Sequence, residues 1–245
     1  MDLQLKDRVH VVTGGSRGLG RATVDALVAE GARVVVSSRS EESLAGVRAA
    51  HGDSVATVVA DNADPEAAGR VVRTALDTFG RLDGALVSVG GPPPGSVGEA
   101  SDDQWRGAFE SVFLGALRLA REVAGALTDG GSIAFVLSSS VKSPILELGI
   151  SNGLRPGLAM AAKALADEWG PRGVRVNGLL PGRLLTDRMR ETGITDADAE
   201  PASIPLRRYG RPAEFGSVAA FLLSPASSYV SGAMVPVDGG MLRSL

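Results

Sequence analysis

Residues 9–20 read Val9, His10, Val11, Val12, Thr13, Gly14, Gly15, Ser16, Arg17, Gly18, Leu19 and Gly20, an apolar run entering a glycine-rich turn, with a helical pattern from about Arg21. Glycines let a backbone reach positive φ and come close to a ligand, and a helix start presents free N–H groups, so this turn suits a pyrophosphate. The second strand ends Val36, Ser37, Ser38, Arg39. An acid at that end would accept from a ribose 2′-hydroxyl and select NAD; Arg39, with Arg17 in the turn, instead offers planar donors to a 2′-phosphate, so NADP(H) is the expected cofactor. The reading in which both arginines are solvated surface charges stays open. Lys142 stands four residues after Ser138, and a desolvated lysine there could deliver a proton; the alternative is an exposed loop lysine. With no cysteine and only two histidines, His10 and His51, no metal site is expected.

Elements that could position these groups alternate along the chain. β-branched runs at 9–13, 33–37, 55–60, 85–89, 133–137 and 174–179 are separated by segments with helical spacing, among them 21–30, 66–79 and 105–127. This is the pattern of βαβ units, and it predicts one domain over 1–245: a doubly wound α/β Rossmann fold with a mostly parallel sheet of about seven strands and helices on both faces. Two loops interrupt the rhythm. Residues 90–95 carry Pro92, Pro93 and Pro94 and should run extended and stiff, and 183–212 is expected to be a lid on the substrate side.

Of the 245 residues, 44% are hydrophobic and 22% charged, with net charge −3, which excludes disorder and gives no basic stripe for nucleic acid. The uncharged stretch 215–237 contains Pro225, Pro236, two glycines and five serines, so it reads as a helix, a turn and a strand rather than a membrane span. Residues 1–6 lack the apolar core of a signal peptide, and a cytoplasmic location is expected.

The chain resembles the short-chain dehydrogenase/reductase family, in particular its 3-oxoacyl-carrier-protein reductase-like branch, over nearly its whole length. The resemblance rests on the turn at 13–20, on Asp61 and Asn62, on 171–177 ending in Asn177, on Pro181 and Gly182 with Thr186, on 207–212, and on 231–240. It implies that Asp61 meets the adenine, that Pro181, Gly182 and Thr186 close on the nicotinamide carboxamide, and that Ser88, Val89 and Gly90 pass along the cofactor ribose. At that last turn the family usually carries Asn-Asn-Ala-Gly, so asparagine hydrogen bonds are lost here. The resemblance also implies a homo-oligomer, dimer or tetramer, built through the long central helices and the C-terminal segment.

Family enzymes use an asparagine, a serine, a tyrosine and, four residues after it, a lysine. Registered on the motifs above, these positions fall on Val112, Ser138, Ser151 and Arg155. Tyr209 and Tyr229 are followed four residues later by Ala213 and Ala233, so no Tyr-x-x-x-Lys exists in the chain. An alkyl hydroxyl is a far weaker acid than a phenol, and a guanidinium cannot relay a proton. Pro156 is predicted to start or kink the helix carrying these positions, with the proline in its first turn, leaving Arg155 aimed at the cofactor pocket or at solvent.

Two functions follow. One is an NADP(H)-dependent oxidoreductase for an activated carbonyl, quinone or enone with a non-standard proton donor, Ser138, Ser151, Arg155 and Lys142 being the candidates. The other is a non-catalytic NADP(H)-binding regulatory or scaffolding subunit.

Overall fold

The computed structural model describes residues 1–190 and 203–244. Its sheet has seven parallel strands: β1 (Val9–Thr13), β2 (Arg33–Ser38), β3 (Val55–Val59), β4 (Gly84–Val87), β5 (Gly131–Val136), β6 (Val174–Pro181) and β7 (Met234–Val237), in the order β3-β2-β1-β4-β5-β6-β7. The order reverses between β1 and β4, and beyond the carboxyl ends of strands at such a reversal lies the ligand crevice of doubly wound sheets. β1 is buried at all five positions because helices cover both faces.

On one face, Val9, Val11, Ile133 and Phe135 bury against α3 (Ala67–Phe79), α5 (Gly115–Ala126) and α6 (Gly149–Trp169). On the other, Val12, Val34 and Val36 meet α1 (Gly18–Ala29), α2 (Glu41–His51) and α8 (Pro212–Leu223), the helix after the short α7 (Asp187–Arg190). The helix, turn and strand expected over 215–237 are present as the end of α8, a short 3₁₀ turn and β7. Among the described residues no helix is long and apolar enough to cross a membrane.

α6 corrects one expectation. It starts at Gly149, seven residues before Pro156, and continues through the proline to Trp169, so Pro156 lies in its interior rather than its first turn. Tertiary contacts hold the turns that the proline weakens. The Asn152 carboxamide donates to the Ile145 carbonyl at 2.8 Å and accepts from the Ile145 N–H at 3.0 Å, and Gly149 N–H donates to Gly95 O at 2.8 Å. Gly153 lies so close to Trp105 that a Cβ would sit 2.5 Å from the indole. The proline's missing donor and ring clash are thereby outweighed.

The helical pattern over 105–127 resolves into α4 (Asp102–Ala108), a π-helical stretch (Phe109–Leu114) and α5. π-turns recur at functional sites, and this one carries Val112, buried against Ala108, Ile150 and Leu154.

His10, fully buried in β1, has its pKa pushed down to about 4, chiefly by loss of hydration; Asp83 pulls it up, while Arg8 and Arg175 add to the depression. The unfolded chain takes up this proton as pH falls through 6.5 and the folded chain resists it until about 4, so His10 costs stability across that window and none above it. We expect the urea-unfolding free energy to drop by about 2 kcal/mol between pH 7.5 and 5 from this group alone. His10→Leu should flatten the curve by that amount; an unchanged slope would assign the acid sensitivity elsewhere.

Candidate functional site

At the reversal point, β1 and β4 are tied through one side chain: the Thr13 hydroxyl donates to Ser88 O at 2.8 Å and accepts from Ser88 N–H at 3.0 Å. This fixes the glycine turn against the start of the loop after β4. Gly14 has φ +57, and a Cβ at Gly20 would lie 2.3 Å from the Gly14 carbonyl, so the turn closes on itself only with glycine at both positions. Arg17 stands at the N-cap of α1 without a side-chain cap, leaving the first-turn amides open, and Leu19 is half-buried behind them. An uncapped helix start behind such a cradle fits a pyrophosphate.

The Ser16 hydroxyl donates to Ser38 Oγ at 2.9 Å, joining the turn to the end of β2. Arg17 and Arg39 flank that pair, both exposed, and neither makes a hydrogen bond or ion pair with a described residue. Two guanidinium groups beside two hydroxyls form a donor set for a 2′-phosphate. Thr186 lies over the turn, since a Cβ at Gly18 would be 3.7 Å from its methyl group, and Gly182 abuts Asp238. Pro181, the last residue of β6, aligns with Val237. Asp61 is exposed and accepts from Ala63 N–H, while the Asn62 carbonyl faces Gly115 of α5. These residues follow the carboxyl ends of β1, β2, β3 and β6, the end of the sheet where the crevice of a doubly wound fold lies. Asn177, by contrast, serves the fold: its carboxamide donates to Val230 O and accepts from Ala233 N–H.

The positions in register with the family's catalytic residues lie on β5's carboxyl end and on α6. Ser138 follows β5, and its Oγ accepts from Ser140 N–H at 3.1 Å as it caps the 3₁₀ turn Ser139–Val141. Ser151 and Arg155 are one helical turn apart on the buried side of α6, 7% and 4% exposed. The Arg155 guanidinium donates to Val136 O at 2.5 Å and to Val89 O at 3.4 Å, so it spans the carboxyl ends of β5 and β4 beside Gly90. Of the two orientations open to Arg155, the structure takes the inward one. Burial lowers its pKa to about 10, which leaves it charged at neutral pH.

One expectation changes, and one lies partly outside the described residues. Lys142 is exposed on the loop after β5, so the desolvation that would prepare it as a proton donor is missing. The lid segment 183–212 has its central part, 191–202, outside the described residues. Its two described arms meet through a bridge between Leu184 and Gly210 and line a cavity of about 560 Å³ with Leu206, Arg208, Glu214 and Val237. Among the residues that line that cavity, none belongs to the proline loop 90–95.

Sequence reasoning missed the Val136 and Val89 carbonyls, which carry no side-chain signature, and Ser140, whose buried hydroxyl has no hydrogen-bond partner. The four-residue spacing of Gly149, Gly153 and Gly157 was the available signal that α6 runs through Pro156.

Residues 14–242 match the family model described as enoyl-(acyl carrier protein) reductase. An uncharacterized oxidoreductase of Mycobacterium tuberculosis is 33% identical, the alignment covering 97% of this chain and 93% of that protein. The L-sorbose reductase of Gluconobacter frateurii, solved with NADPH and L-sorbose, superposes with a TM-score of 0.92 at 30% identity and full coverage of both chains. The apo short chain oxidoreductase of Pseudomonas aeruginosa PAO1 containing an atypical catalytic center superposes with a TM-score of 0.91 at 28% identity, covering 98% of this chain and 99% of that one.

Proposed function

The chain belongs to the short-chain dehydrogenase/reductase family of oxidoreductases, and on that premise we propose that it is an NADP(H)-dependent enzyme reducing an activated carbonyl, a quinone or an enone without a tyrosine proton donor. The observation that carries this reading is the open start of α1 with unengaged Arg17 and Arg39 beside the Ser16 and Ser38 hydroxyls. Thr13, Gly14, Gly18, Leu19 and Gly20 would hold the pyrophosphate, Asp61 and Asn62 the adenosine side, and Pro181, Gly182 and Thr186 the carboxamide end. Bound there, the reduced nicotinamide supplies the hydride.

The chain's own part in the reaction is positional. Ser138 and Ser151 present hydroxyls to a substrate oxygen, and the Arg155 charge favours negative charge developing there. Solvent water supplies the proton that a phenol delivers elsewhere in the family. Orientation supports such a reaction for electron-poor acceptors, whose reduction needs least acid assistance. We also propose a cytoplasmic homo-oligomer, in which exposed Met160 of α6 and the Phe109 and Phe113 rings, stacked 5.2 Å apart, meet a second copy.

One observation favours a second reading, a non-catalytic NADP(H)-binding subunit: Arg155 is engaged by two backbone carbonyls and acts as a strut between strands. Incubation of purified protein with NADPH and a panel of diketones, quinones and enones separates the two. The enzyme oxidises NADPH at least tenfold above background with some member of the panel. Cofactor binding without oxidation on any of them favours the subunit.

A further inference from the structure

The floor of the crevice is unusual in the sign of what it offers. Arg155 is almost wholly buried, yet its only partners among the described residues are two neutral carbonyls, which use two of its five N–H donors. No described carboxylate pairs with it, and nothing offsets the burial that depresses its pKa. One turn earlier on the same face, the buried Ser151 hydroxyl bonds to no described residue. Ser138 uses its Oγ as an acceptor and its O–H donates to no described group. Ser140, on the 3₁₀ turn against which α6 packs, has a buried hydroxyl with no partner. Burying a charge without a counter-charge is among the costliest arrangements a fold can hold, and a cation surrounded by unused donors is short of an anion.

We propose that this floor is an anion subsite and that the substrate is a small carbonyl compound bearing a carboxylate. Arg155 takes the carboxylate with its remaining N–H donors, and Ser151 and Ser138 donate to the carbonyl oxygen next to it, so that the three side chains hold one end of the substrate. Placing the substrate in this crevice rests on the oxidoreductase reading, but the subsite itself is defined by the side chains alone. The planar guanidinium matches a carboxylate in two parallel hydrogen bonds, a geometry that a lysine ammonium does not provide.

Oxamate and oxamide form a suitable pair of probes, since they differ in replacing a carboxylate by a neutral amide and neither is reduced. Binding is measured by ligand-detected NMR and calorimetry with and without saturating NADPH, which also occupies the phosphate turn. We expect oxamate to bind at least tenfold more tightly than oxamide. Arg155→Met should abolish that preference, and Ser151→Ala, which leaves the Arg155 bonds to Val136 and Val89 in place, should weaken oxamate several-fold. If Arg155→Met does not fold, as its melting curve shows, Ser151→Ala and the oxamate preference of the unaltered protein decide the matter. Equal binding of the two probes overturns the subsite, as does an oxamate affinity that survives Arg155→Met. Retention of NADPH by a protein indifferent to oxamate refutes this inference alone, whereas failure to bind NADPH refutes the oxidoreductase reading and leaves the oxamate result to stand or fall by itself.

Discussion

Arg17→Ala combined with Arg39→Ala should raise the dissociation constant for NADPH about 100-fold while leaving that for NADH within about threefold. The two arginines come directly after the bonded Ser16 and Ser38 in the chain, one at the N-cap of α1 and one just past β2. Charge-assisted bonds to a phosphate contribute roughly 1.5–3 kcal/mol each, and every 1.4 kcal/mol is tenfold, so each single variant should lose about tenfold. The melting temperature should not move, because neither side chain bonds to a described part of the protein. Fluorescence titration with both nucleotides, repeated at 50 and 200 mM salt, checks the assignment: the salt dependence of NADPH binding should fall along with its affinity. A loss of less than threefold for NADPH would show that the 2′-phosphate is read by other groups, and an equal loss for NADH would place both arginines at the shared pyrophosphate.

The parts of this site that rest on backbone geometry were legible in the sequence, and those that rest on side-chain direction were not. Six β-branched runs marked β1 to β6 to within a few residues, and a parallel sheet buried on both faces leaves few other ways to arrange them. The glycines of the first turn were readable because a Cβ at Gly20 would meet the Gly14 carbonyl, a constraint expressed directly in residue type. Pro156 misled because its cost is local, whereas the contacts that offset it come from Ile145, Gly95 and Trp105, distant in sequence or visible only once the fold is formed. That error propagated. A helix starting near Pro156 leaves the direction of Arg155 open, but one starting at Gly149 places Arg155 beside buried Leu154 and one turn from buried Ser151 and Leu158, which fixes it inward. The π-helical stretch at Val112 left no trace in the apolar pattern, since one extra residue in a turn changes hydrogen bonds and not composition.

Ser151→Tyr with Arg155→Lys should convert the protein into a measurable reductase of simple ketoacyl esters, with kcat/KM rising at least about 100-fold over the unaltered chain. Position 151 is on the buried side of a continuous helix, one turn before 155, and that helix packs against the 3₁₀ turn that Ser138 caps, so a phenol there comes from the element that carries it in the family. A lysine at 155 brings a compact ammonium that lowers the phenol pKa from about 10 toward the working range, and it gives up the bonds that hold Arg155 to Val136 and Val89. Those lost bonds should cost stability, read as a lower melting temperature, and the neutral ketoester avoids dependence on the anion subsite that is dismantled at the same time. Ser151→Tyr alone should give no more than a tenth of the gain, because the guanidinium stays fixed on the carbonyls and cannot pass on a proton. The pH profile is the decisive control: reduction needs the protonated phenol, so activity in the double variant should fall as pH rises through the tyrosine pKa, a limb that the unaltered chain has no group at 151 to produce. A double variant that folds, binds NADPH and remains inert would show that hydrophobic Val112, where the family has asparagine, or the proline loop at 92–94 has closed the crevice to a substrate of that shape.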